Sequence, residues 1–278
     1  MRRIVCVLAI ALAACNGPSR TTDSGRRASP LPSSTAPVTP APSPTATASA
    51  TARNHGARSV SEETDDFLFE YSYPKQAGRI PELAELLDRK LEKTRAGLAA
   101  ESATARKETR ADGFPYNKHS TTVAWKVVAA LPNWLSLSAQ VSSYSGGAHG
   151  NYGFESLVWD INRKRALPAI DLFQSPEALN QALGDQLCAA LQKERGKRRK
   201  KPVRKDSKDE FDQCVHLKDA TVLVGSRGGE KFDRVGVQIG PYVAGPYAEG
   251  AYEFSFPVTP AVLATVKPEF RDAFAARK

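Results

Sequence analysis

Histidine and cysteine occur only four times each in the 278 residues, and that shortage limits the chemistry before anything else is read. A closed metal site needs several such ligands at short spacing. Here only Cys214 and His216 stand two residues apart, so no metal and no cofactor is expected. His55 falls in a proline-rich stretch. His149 can be drawn with Ser145 or Asp160 as a catalytic set, but no nucleophile elbow or metal motif frames them. The expectation is a protein that is not an enzyme. Long apolar runs are missing too. Residues 4–12 are apolar but too few to cross a bilayer as a helix, and neither a later span nor a repeat array is present.

The amino terminus has a clear organisation. Arg2 and Arg3 precede the short apolar run, and Leu12-Ala13-Ala14-Cys15 closes it. The segment resembles a bacterial lipoprotein signal. That resemblance implies a signal peptide over 1–14, cleavage before Cys15 and acylation of Cys15, with the membrane as a partner through the lipid anchor. The alternative is an ordinary secretory signal cleaved elsewhere. Asn16, in a cell with two membranes, points to the outer membrane facing the periplasm. Residues 15–60 are rich in Pro, Ala, Ser and Thr, as in Thr39-Pro40-Ala41-Pro42-Ser43-Pro44. So little apolar content cannot offset ordering entropy, so a disordered tether is expected.

The formal charge of +9 is unevenly spread. Lys193, Arg195, Lys197, Arg198, Arg199, Lys200, Lys201, Arg204 and Lys205 stand together against Glu194 alone. Without this run and the amino-terminal segment, the remainder has more acidic than basic residues. Such a run suggests nucleic acid in a cytoplasmic protein, but an envelope protein meets anionic lipid or acidic glycan instead. Arg198, Arg199, Lys200 and Lys201 are the residues expected to meet such a surface, and no nucleic acid is expected. The alternative is a solvated insertion at about 192–208 with no partner. Cys188 and Cys214 form an even pair in an exported chain, so a disulfide is expected, worth roughly 3 kcal/mol by loop closure. Two metal-binding thiolates are the other reading.

Residues 61–278 suit one domain. Residues 64–73 alternate with aromatics as a first strand. Pro81 opens a helix of about 25 residues, with Leu83, Leu87, Leu91, Thr94 and Leu98 on one stripe. Residues 121–130 and 134–144 read as strands of a hairpin turned at Pro132-Asn133. In the second, Leu135, Leu137, Ala139 and Val141 face one way. Ser136, Ser138, Gln140 and Ser142 face the other, which predicts one wet side. Residues 154–161 form the next strand. Ser175-Pro176-Glu177 starts a helix with Leu179, Ala182, Leu183, Leu187, Ala190 and Leu191 buried. Strands follow at 220–225, 232–239 and 252–258. The fold class is α+β: antiparallel sheet hairpins, one long N-terminal helix, and further helices packed on one face.

Between two of these strands lies Tyr144-Ser145-Gly146-Gly147-Ala148-His149-Gly150-Asn151-Tyr152. It is similar to the glycine-histidine loop of the RsiV/PdaC-like extracytoplasmic domain family. Trp159-Asp160 with Leu172-Phe173, and Pro241-Tyr242-Val243-Ala244-Gly245-Pro246-Tyr247, resemble two later stretches of that family in the same order. Arg165 departs from it, standing where glycine is usual, and the cysteine-bracketed basic run has no counterpart there.

The resemblance implies an α+β domain outside the cytoplasm that binds a lysozyme-like enzyme or peptidoglycan, as inhibitor or sensor. The membrane-spanning output of RsiV-type proteins has no counterpart in this sequence. Expected ligand-binding residues are Tyr144, Gly146, Gly147, His149, Asn151 and Tyr152, with Tyr242 and Tyr247 as a second rim. Glycines admit close backbone approach, and tyrosines give rigid contact area. The alternative is that the glycines only make a tight bend, which His149 pins. An envelope scaffold docking through its basic run is the second function considered, and a cell-wall hydrolase the third.

Overall fold

The computed structural model describes residues 56–204 and 206–277. The signal peptide, Cys15 and residues 15–55 of the expected tether lie outside it. The folded chain begins earlier than expected. β1 (Arg58–Glu63) already pairs antiparallel with β2 (Phe67–Tyr73). Residues 58–60, assigned to the tether from composition, are therefore strand. Their polar pattern suits an edge strand half-buried on one face.

Six strands form the first sheet in sequence order: β1, β2, β3 (His119–Leu131), β4 (Trp134–Tyr144), β5 (Asn151–Asp160) and β6 (Arg165–Leu167). Neighbours are antiparallel except β2 and β3, which run parallel. A parallel pair requires a crossover. The short α1 (Lys75–Gly78) and the long α2 (Pro81–Ala111) supply it. α2 runs 31 residues. Its last turns, rich in alanine, are strong helix formers that extend it past the apolar stripe.

The second sheet is β7 (Thr221–Gly225), β8 (Arg234–Ile239) and β9 (Tyr252–Pro257), all antiparallel. α3 (Pro176–Arg199) and α4 (Pro260–Ala264) belong to this half. Ser175 caps α3, its side chain accepting the Ala178 N–H at 3.0 Å.

The class is α+β, but the long helices do not share one face. Two cores exist. In one, α2 packs Leu83, Leu87, Leu91 and Leu98 on Phe69, Tyr71, Trp125 and Leu137 of the first sheet. In the other, α3 packs Leu179, Leu183, Leu187 and Leu191 with Val222, Val224, Val235 and Val237 of the second sheet. β5 serves both, since Leu157 and Trp159 enter the first core and Val158 the second. The expected wet side of β4 is covered where its hydroxyls lie. Ser136 is fully buried, and Ser138 Oγ donates to Gln238 Oε1 at 2.9 Å. Serine is polar in a sequence pattern yet small enough to let a second sheet approach. Only the end near Gln140 stays exposed.

Candidate functional site: an aromatic cluster on two loops

β4 and β5 pair from Trp134↔Asp160 to Ser143↔Asn151, so the glycine-histidine loop closes the far end of this hairpin. Gly150 is required by crowding. A Cβ there would lie 2.7 Å from the Ser143 carbonyl oxygen. Gly146 is required by conformation, with φ +86°. Its carbonyl accepts a hydrogen bond from Asn117 Nδ2 at 3.3 Å. Gly147 meets nothing and is exposed.

The loop places His149 against the later loop that leads into β9. The His149 ring stacks on Tyr247 at 4.2 Å between centroids and lies 6.5 Å from Tyr242. Tyr242 and Tyr247 are 5.7 Å apart. His149 Nδ1 lies 2.7 Å from the Gly150 carbonyl, so that nitrogen is the donor. Nε2 is then the acceptor facing the Tyr242 hydroxyl at 3.3 Å. Tyr152 meets Tyr247 edge-on at 6.4 Å, and its hydroxyl accepts the Ala251 N–H at 2.9 Å. Tyr242 is 49% exposed and holds φ +66°. A bulky residue in the left-handed region is an uncommon and costly choice.

The basic run is what holds this later loop. It is not a detached insertion: α3 continues through Arg199, and only residues beyond it leave the helix. Arg195 is fully buried. Its Nε donates to the Ala244 carbonyl at 2.9 Å and its Nη1 to the Gln213 carbonyl at 2.8 Å. Arg199 bridges Asp212 at 2.5 Å and Glu249 at 2.7 Å. Arg198 lies 3.9 Å above the Tyr252 ring and donates to the Glu249 and Ala251 carbonyls. Cys188 and Cys214 are joined in a disulfide that fixes the segment carrying Asp212 and Gln213 to α3. Three arginines thus tie α3 to the stretch carrying Tyr242 and Tyr247.

Glu249 is the acidic hub, also bonded by the Tyr252 hydroxyl. Burial alone would raise its pKa, but Arg199 and Tyr252 outweigh burial and hold it below the usual value of 4.5. Burial and the Glu249 bond push the Tyr252 phenol up to about 12. A depressed carboxylate stabilises the fold above its unfolded pKa and ceases to do so as pH falls through the folded one. Acid titration followed by tyrosine near-UV circular dichroism should therefore show the loop loosening below pH 4.5. Glu249→Gln should lack that step while already being less stable at neutral pH.

Of the residues expected at the site, His149, Tyr152, Tyr242 and Tyr247 come together. Tyr144 ends β4, partly buried and outside the ring cluster. Asn151 opens β5, where its Oδ1 accepts the Tyr152 N–H at 2.9 Å. Of the four basic residues expected on an anionic surface, Arg198 and Arg199 are spent on internal partners, while Lys200 and Lys201 are exposed. The clamp formed by Arg195, Arg199 and Glu249 was missed. A signal existed, because Leu179, Leu183, Leu187 and Leu191 continue at the same four-residue step to Arg195 and Arg199.

Residues 60–152 match the family model described as deacetylase PdaC, so the chain carries a PdaC-like domain. The match runs from β1 to Tyr152 and stops before α3 and the Tyr242–Tyr247 loop. No curated protein matches this sequence. A DUF3298 family protein from Pseudomonas aeruginosa PAO1 is 18% identical, with a TM-score of 0.44 over 80% of this chain and 97% of its own. A member of the same family from Bacteroides fragilis NCTC 9343 is 16% identical, with a TM-score of 0.39 over 74% and 92%. Among the described residues no helix is long and apolar enough to cross a membrane.

Proposed function

We propose that this is an envelope recognition protein, tethered through Cys15, whose His149–Tyr242–Tyr247 cluster binds peptidoglycan glycan or a lysozyme-type muramidase. It acts as inhibitor or sensor by occupancy and not by chemistry. The observation that carries the reading is Tyr242, an exposed aromatic kept in a left-handed conformation where glycine would cost less. Stacked rings with hydroxyls at their edges suit a sugar face or a protein anchor equally. The extracytoplasmic family and the Leu12-Ala13-Ala14-Cys15 stretch support the location. The family model takes its name from a deacetylase. In this chain the ring nitrogens of His149 meet a carbonyl and a phenol, and among the described residues no nucleophile or carboxylate is hydrogen-bonded to them.

The test is calorimetric titration of the protein with soluble peptidoglycan fragments and with lysozyme. Binding to one of them is expected, and Tyr247→Ala should weaken it by about 30-fold, a loss near 2 kcal/mol. Cys15→Ser should release the protein from membranes and leave that binding intact. Folded protein that binds neither ligand overturns the reading. Retention on anionic liposomes, lost in a Lys200→Ser/Lys201→Ser variant, would favour the second reading of an envelope scaffold docked on anionic lipid or glycan.

A further inference from the structure

On the α2 side of the first sheet, a groove of about 620 Å³ runs between the helix and β3–β5. Leu98, Val123, Trp125 and Val141 form its apolar base, and Thr121 and Ser143 add hydroxyls at one margin. α2 borders it with Lys93 towards one end and Glu101 towards the other. Lys93 has no ion-pair partner among the described residues, and Glu101 has only the edge of His119 at 4.0 Å. Eight helical residues at 1.5 Å each place the two backbone positions about 12 Å apart along the axis. Lys90 is already committed, bound to Glu155 at 2.9 Å and lying 5.7 Å over the Trp125 ring.

The fold leaves two features of this groove unexplained, a mid-helix glycine and an unpaired phenol proton. Gly97 stands mid-helix, where glycine costs about 1 kcal/mol relative to alanine. A Cβ there would meet nothing within 4 Å, so neither packing nor conformation demands the glycine. Its bare backbone widens the groove. The second feature is Tyr71, 2% exposed and part of the lining. Its hydroxyl accepts Trp125 Nε1–H at 2.9 Å, while its own proton has no acceptor among the described residues. Burial raises the phenol's pKa, so it stays a donor. A buried donor left unpaired is costly, and a bound acceptor would relieve it.

We propose that this groove binds a short peptide with free ends, its ammonium group at Glu101 and its carboxylate at Lys93. An extended chain covers about 3.3–3.6 Å per residue, so the axial gap between the two positions suits three or four residues. Backbone carbonyls supply the acceptor that Tyr71 lacks, and small side chains fit the apolar base. A neutral glycan would leave both end charges unused. The site is separate from the aromatic cluster and does not depend on what that cluster binds.

Calorimetric titration with tetra-alanine, its N-acetyl form and its C-terminal amide tests the assignment. Tetra-alanine should bind saturably, and blocking either end should weaken it roughly tenfold, as expected for a lost charge-assisted contact. Gly97→Leu should abolish binding by filling the groove, while its melting temperature holds or rises because leucine is the better helix former. Equal affinity for blocked and free peptides, unchanged binding by Gly97→Leu, or no saturation at millimolar tetra-alanine would each overturn the proposal.

Discussion

Arg195→Ala should lower stability by about 3 kcal/mol and disorder the Tyr242–Tyr247 loop. The guanidinium is fully buried and serves the Ala244 and Gln213 carbonyls. Its removal strands both acceptors, each at about 1–3 kcal/mol, and opens a cavity. Part of this is recovered, because burial lowers the arginine's pKa: the charged form is held there at some cost. Nη2, moreover, has no hydrogen-bond partner among the described residues. The net loss should shift the thermal midpoint by roughly 6–12 °C in a domain of this size. Arg195→Met keeps the volume and removes the buried charge, so it should cost about half as much. If alanine and methionine cost the same small amount, the carbonyl bonds are not what holds the loop. The binding proposed for the aromatic cluster should fall in both variants, although residue 195 is not among the rings.

Removing the disulfide should have a comparable effect by a different route. Cys188 and Cys214 are 26 residues apart in sequence. Closing a loop of that length is worth about 3.5 kcal/mol in the chain-entropy model. The Cys188→Ser/Cys214→Ser variant should therefore melt roughly 7–14 °C lower. The loss is not only entropic. The bridge holds Asp212 and Gln213 beside α3, where Arg199 and Arg195 engage them. Combining the double serine variant with Arg195→Ala should thus cost less than the sum of the two, because both act on one segment. Strict additivity in chemical denaturation would show that the disulfide and the arginine clamp work independently.

Much of the chain could be read in advance where local patterning and packing agree. The β3–β4 hairpin follows from two alternating runs around Pro132-Asn133. The start of α3 follows from Ser175-Pro176-Glu177, whose cap and first turn are local chemistry. Readings failed where a residue's surroundings come from far along the chain. Arg199 looks like surface charge because no residue on its own helical turn pairs with it, yet Glu249 lies 50 residues beyond Arg199. Ser136 and Ser138 look solvated because their cover, including Gln238, comes from the second sheet. β1 looks like tether because its half-exposed polar residues lack an alternating apolar face, and only pairing with β2 defines it.

The sequence alone determined that the chain would be α+β and where most strands and both long helices begin, and it made a Cys188–Cys214 bridge the expected pairing. Periodicity, caps and an even cysteine pair are short-range or compositional facts, which a linear chain displays directly. Only the tertiary structure decided that Tyr242 and Tyr247 stack with His149 across nearly a hundred residues. It also decided that Arg195, Arg198 and Arg199 of the basic run clamp the Tyr242–Tyr247 loop, while Lys200 and Lys201 face solvent. Both depend on which distant groups become neighbours when two cores form around β5. A charge has no fixed role until its partner's distance and burial are set.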